Sequence, residues 1–340
     1  MTADATMPRA TTVPVLAVVF NRPGCTTRLM SQIAQAKPAR LYVAADGPRS
    51  KDEEEVCRTV RRIATDVSWD CEVKTLFREQ NVGCKLGVSG AIDWLFANEE
   101  KGIILEDDCI PSQSFFRFCD ELLLRYENDE RIGAIAGSSY LKTGSILESY
   151  YFSRYPQIWG WATWARAWRN FDIEMTAWPR LRRTEFLSRI GGESPGFDRF
   201  WSDIFDQCHA GKIPTWDYQW LLSFWRHGYS ACAPTTNLVA NIGFEGDGTN
   251  NIRYNEVYHG RVACEVAFPL HHPSTHRQRP DLDAIIDHAL SVKKRAYQVF
   301  IYRYIPYGRG IWRIGASAYR WAKATREQGR ALVRRPGCAP

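Results

Sequence analysis

The chain has 340 residues, of which 45% are hydrophobic and 24% charged, and it carries a formal net charge of +6 at pH 7. That balance excludes an intrinsically disordered or collagen-like chain and fits one large α/β domain with an appendage, or two smaller domains. The ten cysteines include no CxxC pair and no Cys/His cluster at zinc spacing, and no apolar run reaches the length of a membrane span.

Residues 13–20 (VPVLAVVF) read as a buried first strand, too short and too poorly flanked by basic residues for a signal peptide. An Asn-Arg-Pro-Gly turn follows, then a helix predicted over 27–36 with Thr26 as its cap. A second strand is predicted over 41–45, ending at Asp46-Gly47-Pro48, and a charged helix over 51–65. A third strand spans 72–77, and the Asn81-Val82-Gly83 turn leads into a helix over 85–97. Residues 103–105 form a fourth strand, 115–125 an amphipathic helix and 132–136 a further strand. Strands alternating with helices predict a parallel, doubly wound sheet. From Tyr150 onward the composition changes, and nine of the thirteen tryptophans fall between Trp159 and Trp225. This half is expected to wrap the sheet edge with irregular loops and short helices. Trp161, Trp164 and Trp168 stand at near-helical spacing, which predicts a packed stripe.

The run 102–108 (GIILEDD) is the most informative stretch. Three apolar residues lead into Glu106, Asp107 and Asp108, and Pro111 then breaks the run. The acids sit where open α/β sheets bind ligands, at the carboxyl end of a strand. Three adjacent carboxylates repel one another unless a cation neutralises them, and Mg²⁺ or Mn²⁺ prefers such oxygens. One reading is a divalent metal bridging the protein to a phosphate-bearing substrate; the other is a solvated acidic turn ahead of the next helix.

No GxGxxG follows the first strand and no GxxxxGK[ST] occurs, which argues against dinucleotide oxidoreductases and P-loop enzymes. Asp46 either accepts a hydrogen bond from a nucleobase or belongs to a plain turn. Arg78, Asn81 and Lys85 follow the third strand and are candidates to face phosphates. Asp217 is either a general base or a helix N-cap, with Asp203 and Asp206 as competing carboxylates. Trp159, Trp161 and Trp216 are candidates for stacking on sugar rings, and Gly160 for a close approach of backbone to ligand. The glycine-rich stretch 241–250 is a candidate lid. His271, His272 and His276 invite a metal reading, although adjacent histidines on an extended chain point apart.

In order along the chain stand Asn21-Arg22, Asp46, Leu105-Glu106-Asp107-Asp108 with Pro111 and Phe115-Phe116, Gly160-Trp161, Trp216-Asp217 and Gly243-Phe244-Glu245-Gly246. This order resembles the GT-A glycosyltransferases, and among them the N-acetylglucosaminyltransferase I family and related bacterial nucleotide-diphospho-sugar transferases. The resemblance implies a GT-A type, Rossmann-like α/β fold over residues 12–270. Residues 12–140 would be the nucleotide-sugar-binding half and 141–270 the acceptor-side half, with a basic helical extension over 281–335. It implies Asp108 as the ligand of Mn²⁺ or Mg²⁺, with Glu106 and Asp107 orienting the ribose, metal waters or donor sugar. Asn21, Arg22 and Asp46 would contact the donor, Asp46 at the nucleobase, and Asp217 would be the general base. The implied partners are a nucleotide-diphosphate sugar donor, with UDP the nucleotide, and a glycan or glycolipid acceptor. This chain departs from the family at Tyr218, where a second acid is expected. Two rival readings are a sugar nucleotidyltransferase, which usually carries a Gly-rich loop absent here, and a non-catalytic glycan-binding protein on the same fold.

The segment 290–340 holds twelve Lys or Arg against one acid, Glu327, interleaved with Tyr, Trp and Ile. It suits either a helix at an anionic membrane surface or a terminal helix packed on the body with a basic outer face. No recognised nucleic-acid-binding module is present, which disfavours nucleic acid as a partner. With no export signal, the expectation is reduced thiols and a cytoplasmic protein, peripheral to the inner membrane face if the tail binds lipid.

Overall fold

The structure is a computed structural model that describes residues 10–142, 144–243, 261–290 and 292. The glycine-rich stretch from 244 onward and the basic segment from 293 lie outside the described residues.

The chain runs β1 (Val15–Val19), α1 (Pro23–Ala36), β2 (Arg40–Ala45), a 3₁₀ turn (Lys51–Glu53), α2 (Glu54–Thr65), β3 (Glu72–Phe77), α3 (Gly83–Phe96) and β4 (Lys101–Glu106). It continues through β5 (Cys109–Pro111), α4 (Gln113–Arg125), β6 (Ile132–Ala136), β7 (Tyr150–Ser153), β8 (Trp161–Trp164), α5 (Ala165–Trp168), α6 (Trp178–Leu181) and α7 (Phe186–Gly191). The described part ends with α8 (Phe197–His209), α9 (Asp217–Arg226), β9 (Ser230–Pro234), β10 (Val239–Asn241) and α10 (Pro280–Ala289). Helix α1 begins earlier than the capping pattern predicts. Pro23 occupies its first turn, where a missing N–H costs nothing, and Thr26 Oγ1 donates back to the Arg22 carbonyl instead of capping.

Eight strands form one sheet in the order β3-β2-β1-β4-β8-β6-β9-β7. Strands β3, β2, β1 and β4 are parallel, β8 runs antiparallel between β4 and β6, and β7 closes the far edge antiparallel to β9. This mostly parallel sheet flanked by helices is the doubly wound α/β architecture that the alternation of strands and helices predicts. Alternation along each strand sends side chains into two separate cores. Val15, Ala17, Val43, Ile103, Leu105 and Ala162 meet α1, α2 and α4 on one face. Leu16, Tyr42, Ile104 and Trp161 meet α3 and the tryptophan-rich helices on the other.

The aromatic half is more regular than the sequence predicts. It supplies β7, β8 and β9 to the central sheet and the long helices α8 and α9. The expected helical stripe of Trp161, Trp164 and Trp168 does not form. Residues Trp161–Trp164 are a strand, so Trp161 joins the α3-side core and Trp164 the α4-side core. A strand buried on both faces shows no apolar/polar alternation, and the spacing of its tryptophans mimics a helix. Among the described residues no helix is long and apolar enough to cross a membrane.

Candidate active site

The strand order reverses between β1 and β4, the topological switch point where open α/β sheets leave a crevice for ligands. The turn after β1 brings Arg22 to this crevice and the end of β4 brings Glu106, Asp107 and Asp108. Arg22 Nε donates to Asp107 Oδ2 at 3.3 Å, and its Nη2 donates to Asp107 Oδ1 in a short contact and to Asp108 Oδ2 at 3.1 Å. Asp107 is 3% exposed, so its carboxylate is nearly sealed from water, whereas the Arg22 and Asp108 side chains keep 29% and 20% of their surface.

Strand alternation turns Glu106 to the opposite face, toward α3 and α9. Burial, then the charges of Asp108, Asp107 and Asp217, push the Glu106 carboxyl up to about 8, against the pull of Arg22. Burial likewise raises Asp107 to about 6 despite its Arg22 partner. Asp217 belongs to the same electrostatic cluster although it comes from α9. It stands in the first turn of that helix after Trp216, so it is not the N-cap. Its carboxylate accepts a short hydrogen bond from Thr215 Oγ1. Burial raises its pKa, while Thr215 and the amides of Tyr218 and Asp217 hold it down.

The small antiparallel ribbon of β5 and β10 frames Asp108 from the other side. Asn241 pairs with Cys109, and Ile242 N–H donates to the Asp108 carbonyl at 2.8 Å. Gly243 then passes so close that a Cβ there would lie 2.4 Å from Asp108 Oδ2. The glycine-rich stretch thus starts against the acidic cluster.

The remaining expected contacts divide. The Asp46 carboxylate accepts from the backbone N–H of Gly47, Val82 and Gly83, capping α3 with three of its lone pairs. Asn21 Nδ2 donates to Glu53 Oε1 at 3.1 Å, and Asn81 Nδ2 to the Gly47 carbonyl at 2.8 Å. Arg78 Nη1 reaches the Gly87 carbonyl at 3.2 Å, and Lys85 Nζ lies 3.6 Å from Glu174 Oε1. These residues line the strand ends while their side chains brace neighbouring loops.

Two stacking assignments need correction. Trp161 is 0% exposed and Trp216 2%, and their rings pack on each other with centroids 6.0 Å apart. Together with Trp168 and Trp220 they form a closed aromatic core that offers no face to a sugar. Trp159 is half-buried and packs at the edge of the α4-side core. Gly160, at positive φ, brings its backbone against Val239 and Gly137. The competing carboxylates are engaged: Asp206 by Trp178 and Arg182, Asp203 by Gln207. His272 bonds Tyr150 and lies near Glu121, and His276 packs on Phe152, so both serve the β7 edge.

Several site-building residues carry no sequence signal. Arg61 on α2 donates to the Asp46 and Arg78 carbonyls at 3.1 and 2.6 Å, stapling the ends of β2 and β3. Thr215 orients Asp217. The Cys84 thiol at the start of α3 faces the Glu106, Asp217, Asp108 and Asp46 carboxylates; desolvation first, then their charge, raises its pKa.

Among the described residues no group of three or more His, Cys, Asp or Glu is arranged to hold a metal by itself. Asp108 nevertheless fits the mode in which one or two carboxylates share Mg²⁺ or Mn²⁺ with substrate phosphates and water.

No protein family matches the chain, and no curated protein matches its sequence. Among solved structures, a crystal structure of an active-site mutant of LgtC is similar at a TM-score of 0.32 and 11% identity, over 82% of this chain and 95% of that one. A likeness that loose carries nothing about activity.

Proposed function

We propose that the protein is a metal-dependent glycosyltransferase. It moves a sugar from a nucleotide-diphosphate donor, with UDP as the nucleotide, to a hydroxyl of a glycan or glycolipid. The carrying observation is the meeting, at the β1/β4 switch point, of Arg22 with Asp107 and Asp108, with Asp217 from the far half of the chain close enough for its charge to act on Glu106. Asp108 would hold Mn²⁺ or Mg²⁺, which when bound supplies positive charge to the leaving diphosphate. Arg22 offers a planar fork suited to phosphate oxygens. Asp217 accepts the proton of the attacking hydroxyl, and its raised pKa makes it a stronger base than a solvated aspartate. Thr215 holds its carboxylate in place. A single base facing the bond opposite the leaving group gives inversion. The burial of Trp161 and Trp216 removes the main support for a non-catalytic glycan-binding module. A nucleotidyltransferase would release pyrophosphate, which a coupled assay detects.

The test is calorimetric titration of UDP with and without Mn²⁺, in the wild type and in Asp108→Asn. The expected outcome is binding that needs both the metal and Asp108; UDP binding indifferent to both would reduce the acidic run to a structural turn. Asp217→Asn should then bind UDP as the wild type does while turnover falls by about 10²- to 10⁴-fold.

A further inference from the structure

Arg22 distributes its donors unevenly. Its Nε and Nη2 both reach Asp107, and the same Nη2 also reaches Asp108 Oδ2 at 3.1 Å. The Asp107 side chain is 5% exposed, so that end of the contact is enclosed, while Arg22 at 29% and Asp108 at 20% stand toward the open end. The other Asp108 oxygen lies 3.6 Å from the Cys109 thiol, and Gly243 closes in beside Oδ2. The carboxylate a divalent cation would take is therefore already paired with a fixed positive charge. A metal and the guanidinium would repel each other there, and both would compete for the charge of one carboxylate. A diphosphate resolves the conflict, because its oxygens can accept from the guanidinium fork and ligate the metal together.

We propose that Arg22 is the resident cation of the acidic cluster: it keeps the divalent metal off Asp108 until a nucleoside diphosphate draws the guanidinium away, so metal and nucleotide enter together. This rests on the donor-site reading above. The enclosed bond to Asp107 is the pivot, and Asp108 is the oxygen exchanged. By linkage, the nucleotide strengthens metal binding by the same factor as metal strengthens nucleotide binding, and Arg22 sets a share of that factor.

The test is Mn²⁺ binding to the full chain, followed by electron paramagnetic resonance of free Mn²⁺, with and without UDP. Wild type should bind Mn²⁺ weakly alone and far more tightly with UDP. Arg22→Met should raise nucleotide-free Mn²⁺ affinity by about tenfold and shrink the enhancement by UDP. Arg22→Lys keeps the charge without the fork and should fall between; it also decides the matter if the methionine variant does not fold. Nucleotide-free Mn²⁺ affinity that is unchanged or lower in both variants, with Asp108→Asn still abolishing metal binding, would overturn the exchange alone. Mn²⁺ binding indifferent to Asp108→Asn would overturn the donor-site reading and the exchange together.

Discussion

Glu106 stands among three other carboxylates, and burial together with their charge raises it to about 8 from an ordinary value of 4.5. A carboxyl raised on folding holds its proton in the native chain at pH values where the unfolded chain has released it. The native state binds more protons across that window, so stability is fully present below about pH 4.5 and declines as pH rises toward 8. Asp107, raised to about 6, and Asp217 act in the same direction. Glu106→Gln removes the Glu106 part of the slope. The variant should be more stable than wild type near pH 8, with the gain vanishing at acid pH. Urea denaturation at acid, neutral and alkaline pH reads this directly. Parallel stability curves for the two proteins would mean that Glu106 is not strained by its neighbours. Mn²⁺ with UDP should flatten the wild-type slope, since a bound cation favours the charged carboxylates.

At the scale of elements, the β5–β10 ribbon sets the position of Asp108. A methyl group at residue 243 would lie 2.4 Å from Asp108 Oδ2, so either the short aspartate side chain or the ribbon must move. Gly243→Ala should weaken Mn²⁺-dependent UDP binding by about tenfold while leaving the melting temperature within a degree or two. Gly24→Ala, at an exposed position in the first turn of α1, has nothing within 4 Å of the new Cβ and is the control expected to change neither. Retained UDP affinity in Gly243→Ala would show that Asp108 does not depend on this close approach. The ribbon also marks where the sequence stops being legible. Strands β1, β2 and β4 show as short apolar runs, and Glu106 to Asp108 show at a strand end, because both signals are local. The pairing of Arg22 with Asp107 spans 85 positions, and no residue between them announces it. Asp46 looks like a turn residue or a base contact, and its work on the N-terminus of α3 appears only once β2 and β3 lie side by side. Strand β8 escapes detection because β4 and β6 define it, not its own four residues.

At the scale of the molecule, the sheet separates the candidate site from the element that closes the described chain. Helix α10 docks on β7 through a buried network. Arg154 Nη2 donates to Asp287 at 2.7 Å, Ser153 Oγ donates to Asp283 at 2.5 Å, and Tyr155 and Ser194 also donate to Asp287. The Arg154 and Asp287 side chains are 7% and 8% exposed. Breaking such a pair from one side strands the other charge, so Arg154→Leu should cost about 3–5 kcal/mol. Yet β7 lies four strands from β4 in the sheet order. At roughly 4.8 Å per strand that is about 19 Å, and none of the network reaches the acidic cluster. Arg154→Leu should therefore lower stability and speed hydrogen exchange in α10, while the surviving native protein binds UDP and Mn²⁺ with wild-type affinity. The two readouts separate scaffold from site. A large loss of stability with unchanged affinity would place α10 in the scaffold alone. A matching loss of affinity at a temperature where the variant is still folded would mean that the far edge of the sheet is coupled to the β1/β4 crevice through the strands between them.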